Sequence, residues 1–352
     1  MEAGDARFDG EQWHVDARDV IGDERFTIRA KVLINACGPY ADSINREYSI
    51  QTEHHHLFSK GVHLIVDRVT DNQRVLTFFA SDGRLFFLIP MGPKTCIGTT
   101  DTQVESPEVS VTEEDRQFIL DNANALLDLP RPLTAADIVA ERVGVRPLAV
   151  KGEGGTADWV QLSRKHEIET DVARRHISVF GGKLTDCLNV GDEITERVAE
   201  LGVPIPEADN RWYGEPGDAL RDQFMLQARL MQLDALTDPS SPEPLSERFW
   251  RRYGESAFVL LERIRENPDQ AKLLIPNAEY VRCEIELAAR REMIIKLEDF
   301  MRRRSKIELV VRKPDIVAAT EGLREACEIL FPGQSSEKLA EYFEDLGVSA
   351  KP

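Results

Sequence analysis

The chain has 352 residues, enough for two domains with buried cores. Its hydrophobic fraction of 42% and charged fraction of 30% are those of a globular protein. The 44 basic and 62 acidic residues leave a net charge of −18, which argues against a general nucleic-acid binder.

Residues 12 to 36 read as short strands and turns, with Thr27-Ile28-Arg29-Ala30 leading into Lys31-Val32-Leu33-Ile34-Asn35, an apolar run typical of a buried strand. Gly38-Pro39 breaks it, and Tyr40 to Glu47 fits a short helix. From His56 to Thr102 the pattern is strand-rich, and Asp82-Gly83 is a tight-hairpin signal, so an antiparallel sheet is expected. A helix is expected over 112–128, with Thr112 and Asp115 as its cap. Ile138 to Leu148 and Trp159 to Leu162 look extended. His176-Ile177-Ser178-Val179-Phe180 is a strand that runs through Gly181-Gly182 into a helix over 184–201, which Gly202 and Pro204 stop. Residues 203–218, rich in Pro, Gly and Asp, read as a linker, and the chain beyond is almost wholly helical. Strands before and helices after predict an α+β core followed by an all-helical C-terminal domain: 1–202 with an antiparallel sheet over about 56–165, then 203–218, then 219–352.

The five cysteines, Cys37, Cys96, Cys187, Cys283 and Cys327, follow no C-x-x-C or metal-ligand spacing and are read as reduced cytoplasmic thiols. The acidic start, Met1-Glu2-Ala3-Gly4-Asp5, reads as neither a signal peptide nor an anchor. No run approaches the ~18 apolar residues of a bilayer span, so the expectation is a soluble or at most peripheral protein.

Three short segments in fixed order stand out: Gly144-Val145-Arg146-Pro147-Leu148, Ser163-Arg164-Lys165-His166-Glu167 and Gly181-Gly182-Lys183-Leu184-Thr185. The last follows a strand and opens a helix, so its N–H groups and the positive helix end face whatever sits at the turn. Glycines there let a ligand approach the backbone, and an electron-rich flavin edge is one natural partner. A plain strand–helix turn with an exposed lysine is the simpler alternative. Arg146 and Arg164 sit in extended segments, and guanidinium forks bind phosphate in a bidentate manner that lysine does not match. The simpler alternative is two structural arginines paired with carboxylates.

His63 lies mid-strand between Val62 and Leu64. It reads as a hydrogen-bonded core residue or as a base for a hydroxyl proton. His54-His55-His56 is not read as a metal site, because consecutive strand residues point to opposite faces, and no metal is expected. Gly98-Thr99-Thr100-Asp101-Thr102 fits strand-end turn chemistry. In the helical part, Arg290-Arg291, Arg302-Arg303-Arg304 and Arg312-Lys313 have carboxylates within about a helical turn and read as a salt-bridged, solvated face, with a partner or an anionic membrane surface as the alternative.

Taken with Val32 to Asp42, Ser59-Lys60-Gly61-Val62-His63 and Ile97-Gly98-Thr99-Thr100-Asp101, the three segments resemble the FAD-dependent glycerol-3-phosphate dehydrogenases, within the wider D-amino-acid-oxidase-like flavoproteins. Arg252-Tyr253-Gly254, Glu284 through Met293, and Leu297 through Arg304 look like that family's helical domain. The resemblance implies oxidation of sn-glycerol 3-phosphate to dihydroxyacetone phosphate, with hydride passing to flavin N5 and electrons to a quinone or oxygen. By it Arg146 and Arg164 would hold the phosphate or substrate oxygens, Lys183 would sit at the flavin and substrate edge, and His63 is the candidate base. Asn35, Gly38, Gly181, Gly182 and Thr185 would line the FAD side. A peripheral contact with the inner face of the membrane and a homodimer fit the same picture.

Such flavoproteins begin with a strand, a G-x-G-x-x-G turn and a helix that binds the FAD pyrophosphate. No G-x-G-x-x-G occurs here, and the first residues correspond to the middle of the family pattern. Lost affinity for FAD, exposed strand edges, and association with a polypeptide that supplies the missing strands are therefore expected. A non-catalytic fragment or scaffold of the same fold, and a related flavin amino- or hydroxy-acid oxidase, are the alternatives.

Overall fold

A computed structural model describes residues 1–152, 165–207, 214, 216–239 and 241–348. In chain order the strands are β1 (Glu2–Phe8), β2 (Trp13–Arg18), β3 (Arg25–Ala30), β4 (Leu33–Asn35), β5 (His54–Asp67), β6 (Leu76–Phe79), β7 (Leu85–Met91), β8 (Lys94–Gly98), β9 (Thr102–Val104), β10 (Ile138–Lys151), β11 (His166–Asp171) and β12 (His176–Gly181). The helices among them are α1 (Ala41–Glu47), α2 (Glu113–Leu126) and α3 (Cys187–Glu200). Then follow α4 (Asp218–Leu230), α5 (Leu245–Tyr253), α6 (Ala257–Glu266), α7 (Arg282–Arg291), α8 (Ile307–Val310), α9 (Lys313–Ala318), α10 (Thr320–Leu330) and α11 (Ser335–Asp345). The expected extended stretch at Trp159 to Leu162 and part of the expected linker lie outside the described residues.

The chain divides into two compact units, one of 1–62, 100–111 and 143–211, the other of 63–99, 112–142 and 212–352. β5 and β10 each contribute residues to both.

In the first unit β1, β2 and β3 form an antiparallel meander. Alternation along β2 buries Trp13, Val15 and Ala17 on one face. Trp13 packs with Val15, Ile50, Phe8 and Tyr48, and its indole N–H donates to the Arg174 carbonyl at 2.8 Å. A second sheet has the order β11-β12-β4. β11 and β12 are antiparallel, whereas β12 and β4 are parallel, with Ser178 opposite Asn35. The run over residues 31–35 reads as a buried strand; β4 is short and buries Asn35, but Ile34 is 40% exposed, since the strand ends its sheet and is paired along one edge. The start of β5 pairs with β9, placing Lys60 opposite Thr102.

In the second unit the end of β5, then β8, β7 and β6, make the antiparallel array expected there. The β6–β7 hairpin closes at Asp82-Gly83, with Gly83 at φ +82° and the Ala80 N–H bonded to the Arg84 carbonyl at 2.8 Å. α2 begins with the expected cap, in which the Asp115 N–H donates to Thr112 Oγ1 at 3.3 Å and the Thr112 N–H to Asp115 Oδ2 at 2.9 Å. The helices bury apolar stripes in two clusters, one around Phe224, Phe249 and Leu260, the other around Phe300, Leu323 and Tyr342. Each such side chain contributes roughly 1.5–3 kcal/mol when fully buried. α10 passes so near the backbone of Leu274 that a Cβ on Gly322 would lie 1.7 Å from its carbonyl oxygen.

Candidate functional site

Within the first unit, residues from three separate sequence segments meet at Arg146. Arg146 stands on β10, the neighbour of β5. Gly61 on β5 leaves the space that its guanidinium fills, since a Cβ there would lie 2.4 Å from Arg146 Nη2. Arg146 Nη1 donates to Ser59 Oγ at 3.4 Å and lies 3.6 Å from Asp101 Oδ1. The Ser59 hydroxyl donates to the same carboxylate. The β5–β9 register delivers Asp101 to the level of Gly61, and Thr100 closes the ladder by accepting the Val62 N–H on Oγ1 at 3.0 Å. The Arg146 side chain remains 31% exposed, so it is held on one side and open to solvent on another. Asp101 had the look of strand-end chemistry in the sequence; its role as the carboxylate partner of Arg146 is a product of tertiary pairing.

β12 ends at Gly181, opposite His166. Gly181 and Gly182 have φ of +62° and +87°, a left-handed pair that reverses the chain before the helical turn Leu184–Asp186 and α3. A Cβ on Gly181 would stand 3.1 Å from both the Ala149 Cβ and the Lys165 carbonyl, and one on Gly182 would stand 3.1 Å from the His166 Cβ. Ala149 lies on the strand that carries Arg146, about 10 Å further along at the rise of an extended chain. Lys183 is exposed, and its ammonium has no hydrogen-bond partner among the described residues. Thr185 is exposed beside it.

Two histidines flank this turn. The His56 side chain is fully buried, with Nδ1 2.5 Å from Asp42 Oδ2 and Nε2 accepting the Gly181 N–H at 3.1 Å. Burial works to raise the Asp42 pKa, but the His56 hydrogen bond outweighs it and holds the carboxyl below its ordinary value. His166 places Nδ1 2.7 Å from Asp186 Oδ2 and Nε2 3.1 Å from Glu193 Oε2. Burial opposes its charged form, yet the bonds to Glu193 and Asp186 win and raise its pKa. His54 turns to Glu169 at 2.7 Å, so the histidine run does not converge on one point. Among the described residues no group of three or more His, Cys, Asp or Glu side chains is placed to hold a metal ion. His56 was visible in the sequence only as one of three consecutive histidines; no local signal tied it to Asp42 or to the glycine turn.

Asn35 is 3% exposed. Its amide donates to the Ala41 carbonyl at 2.9 Å and to Asn45 Oδ1 at 2.7 Å, and its oxygen accepts the Cys37 N–H at 3.2 Å. It thereby fixes the β4–α1 loop, where Gly38 has φ +56° and open space before it. His63 falls in the second unit, half-buried and opposite Gly98 in the β5–β8 ladder. Arg164 lies outside the described residues.

Residues 2–167 match the family model of FAD dependent oxidoreductases, and residues 220–330 match that of the C-terminal domain of alpha-glycerophosphate oxidase. The aerobic glycerol-3-phosphate dehydrogenase of Staphylococcus aureus is 28% identical over 301 residues, covering 83% of this chain and 53% of its own length. That of Staphylococcus haemolyticus is 27% identical over 306 residues with the same coverage. The chain thus spans about half the length of the curated relatives it matches. The crystal structure of the Bacillus halodurans glycerol-3-phosphate dehydrogenase complexed with FAD is 26% identical, with a TM-score of 0.73 over 100% of this chain and 69% of that one. Two family models matched in succession, and a fold shared along the whole chain, make it similar to the FAD-dependent glycerol-3-phosphate dehydrogenases.

Proposed function

We propose that this chain supplies the substrate side of an FAD-linked oxidation of sn-glycerol 3-phosphate to dihydroxyacetone phosphate. The observation that carries the reading is Arg146, seated over Gly61, steadied by Ser59 and Asp101, on the strand that also borders the Gly181-Gly182-Lys183 turn. A guanidinium held from one side and solvent-exposed on another is suited to a phosphate dianion. The residues present fit a flavin edge: Lys183 and the start of α3 offer positive charge beside the turn that the two left-handed glycines make, and Gly38 leaves open space. When bound, FAD would supply the acceptor for the C2 hydride and the route by which two electrons leave for a quinone or oxygen. Arg146 and Arg164 hold the phosphate or substrate oxygens, His63 takes the C2 hydroxyl proton, and Lys183 stands at the edge of both ligands. Asn35, through the loop it fixes, with Gly38, Gly181, Gly182 and Thr185, serves the FAD side.

In this reading residues 1–202 carry cofactor and substrate, 203–218 link, and 219–352 form the helical domain. Delivery to a membrane quinone runs through a peripheral contact at the inner face, and the assembly is a homodimer. None of the described helices is long and apolar enough to cross a bilayer. The test is to mix the purified chain with excess FAD, add glycerol 3-phosphate without oxygen, and follow the visible flavin band. Bleaching of bound flavin supports the reading, and an unbleached band overturns it for this chain. Arg146→Ala should then raise KM for glycerol 3-phosphate about ten- to a hundredfold, the worth of a charge-assisted bond, with little change for glycerol. Equal effects on both substrates would remove the phosphate from Arg146.

A further inference from the structure

The turn that carries Lys183 is built from two glycines, which impose no conformation of their own, so something else must hold it. The Gly181 N–H is bonded to His56 Nε2 at 3.1 Å. A ring nitrogen that accepts an amide N–H carries no proton, which assigns the imidazole proton to Nδ1, where Asp42 Oδ2 waits at 2.5 Å. The ring is also wedged beside Phe180, 5.2 Å between centroids, and Phe58, 6.2 Å. Its tautomer, orientation and depth are therefore all fixed. This is the arrangement by which an outer carboxylate orients a histidine that in turn orients a working group.

We propose that His56 is a positioning residue: held by Asp42 in its Nδ1–H tautomer, it accepts the Gly181 N–H and so sets where the Gly181-Gly182-Lys183 turn, and Lys183 with it, stands. The consequence for cofactor binding rests on the function proposed above; the hydrogen bond itself does not. His166 acts on the far side of the turn through Asp186 and Glu193, while the Gly181 amide is bonded to His56.

Two substitutions separate positioning from mere space filling. In His56→Asn the side-chain amide reaches Asp42 in place of Nδ1 but nothing reaches Gly181. In His56→Gln the amide oxygen lies near the Nε2 position and restores the acceptor. Hydrogen exchange of the Gly181 amide, read on the whole chain without FAD, should accelerate about tenfold in His56→Asn and remain near wild type in His56→Gln. The exchange of the β12 amides Ile177 and Val179 serves as the control for the strand and should not move in either. Titration with FAD, followed by quenching of flavin fluorescence, should show the same order, with binding weakened in His56→Asn and restored in His56→Gln. Unchanged Gly181 exchange in His56→Asn, or equal acceleration in both variants together with the control amides, overturns the proposal. If wild type binds no FAD, the function proposed above fails while the Gly181 exchange still decides the role of His56.

Discussion

Glu284 of α7 has none of its side chain exposed, and four donors converge on its carboxylate. Oε2 accepts from Arg248 Nη2 at 3.0 Å and from the Val281 N–H at 2.8 Å. Oε1 accepts from Arg252 Nη1 at 3.1 Å and from the Tyr253 hydroxyl at 2.9 Å. Burial first, and the neighbouring carboxylate second, push the Tyr253 phenol far up, so it stays a donor. Arg248 is 1% exposed and has no other charge partner among the described residues, so Glu284→Ala would leave it charged and unpaired at a cost of about 3–5 kcal/mol. Urea unfolding checks this: a loss under about 1 kcal/mol would mean that water or a rearranged neighbour replaces the carboxylate. The sequence showed Arg252-Tyr253-Gly254 and Glu284 as separate pieces of a family pattern, and only folding reveals that they share one site. Arg303, half-exposed beside Glu298 and Asp299, behaves as the charge pattern predicts and contributes little.

β12 shows what periodicity conveys and what it omits. Its apolar alternation, the glycine pair at its end and the helix beyond were all legible, as were the Thr112 cap of α2 and the Asp82-Gly83 hairpin, because each is encoded within a few residues. That β12 runs parallel to β4, and that β3 belongs to a separate meander, depends on partners far along the chain. The same non-local packing gives β12 a pH response. His176 at its start is 1% exposed, 5.7 Å from the Trp13 ring, with Nε2 unpartnered among the described residues. Burial, which disfavours the charged ring, pushes its pKa down to about 4 from 6.5. Between those values the unfolded chain binds a proton that the folded chain refuses, so this contribution is complete above about pH 6.5 and is lost as pH falls toward 4. From pH 7.5 to 5, wild type should lose up to about 2 kcal/mol from this group, and His176→Phe should lose correspondingly less. His166, with its raised pKa, works in the opposite sense, which is why the comparison is made between variants at one site. Parallel pH slopes for wild type and variant would refute the assignment.

Across the whole molecule the five cysteines divide by burial in a way that composition could not show. Cys96, Cys283 and Cys327 are inside, and Cys37 and Cys187 are exposed. Burial raises all three inner thiols, Cys327 to about 12 with Glu328 adding to it, so the reactive thiolate is scarce there. A disulfide reagent at pH 8 should therefore consume two thiols quickly in the native protein and five in urea. The inner three should react only at the pace of unfolding. The two exposed thiols also report on function, because Cys37 precedes Gly38 in the loop that Asn35 fixes and Cys187 opens α3 just after the Gly181-Gly182-Lys183 turn. Both therefore border the surface proposed above for the cofactor. Saturating FAD should slow their modification severalfold while leaving the unfolding-limited reaction of the inner thiols no faster, since a ligand of the native state can only stabilise it. Equal rates for Cys37 and Cys187 with and without bound FAD would place the flavin elsewhere and detach Gly38 and Thr185 from its site.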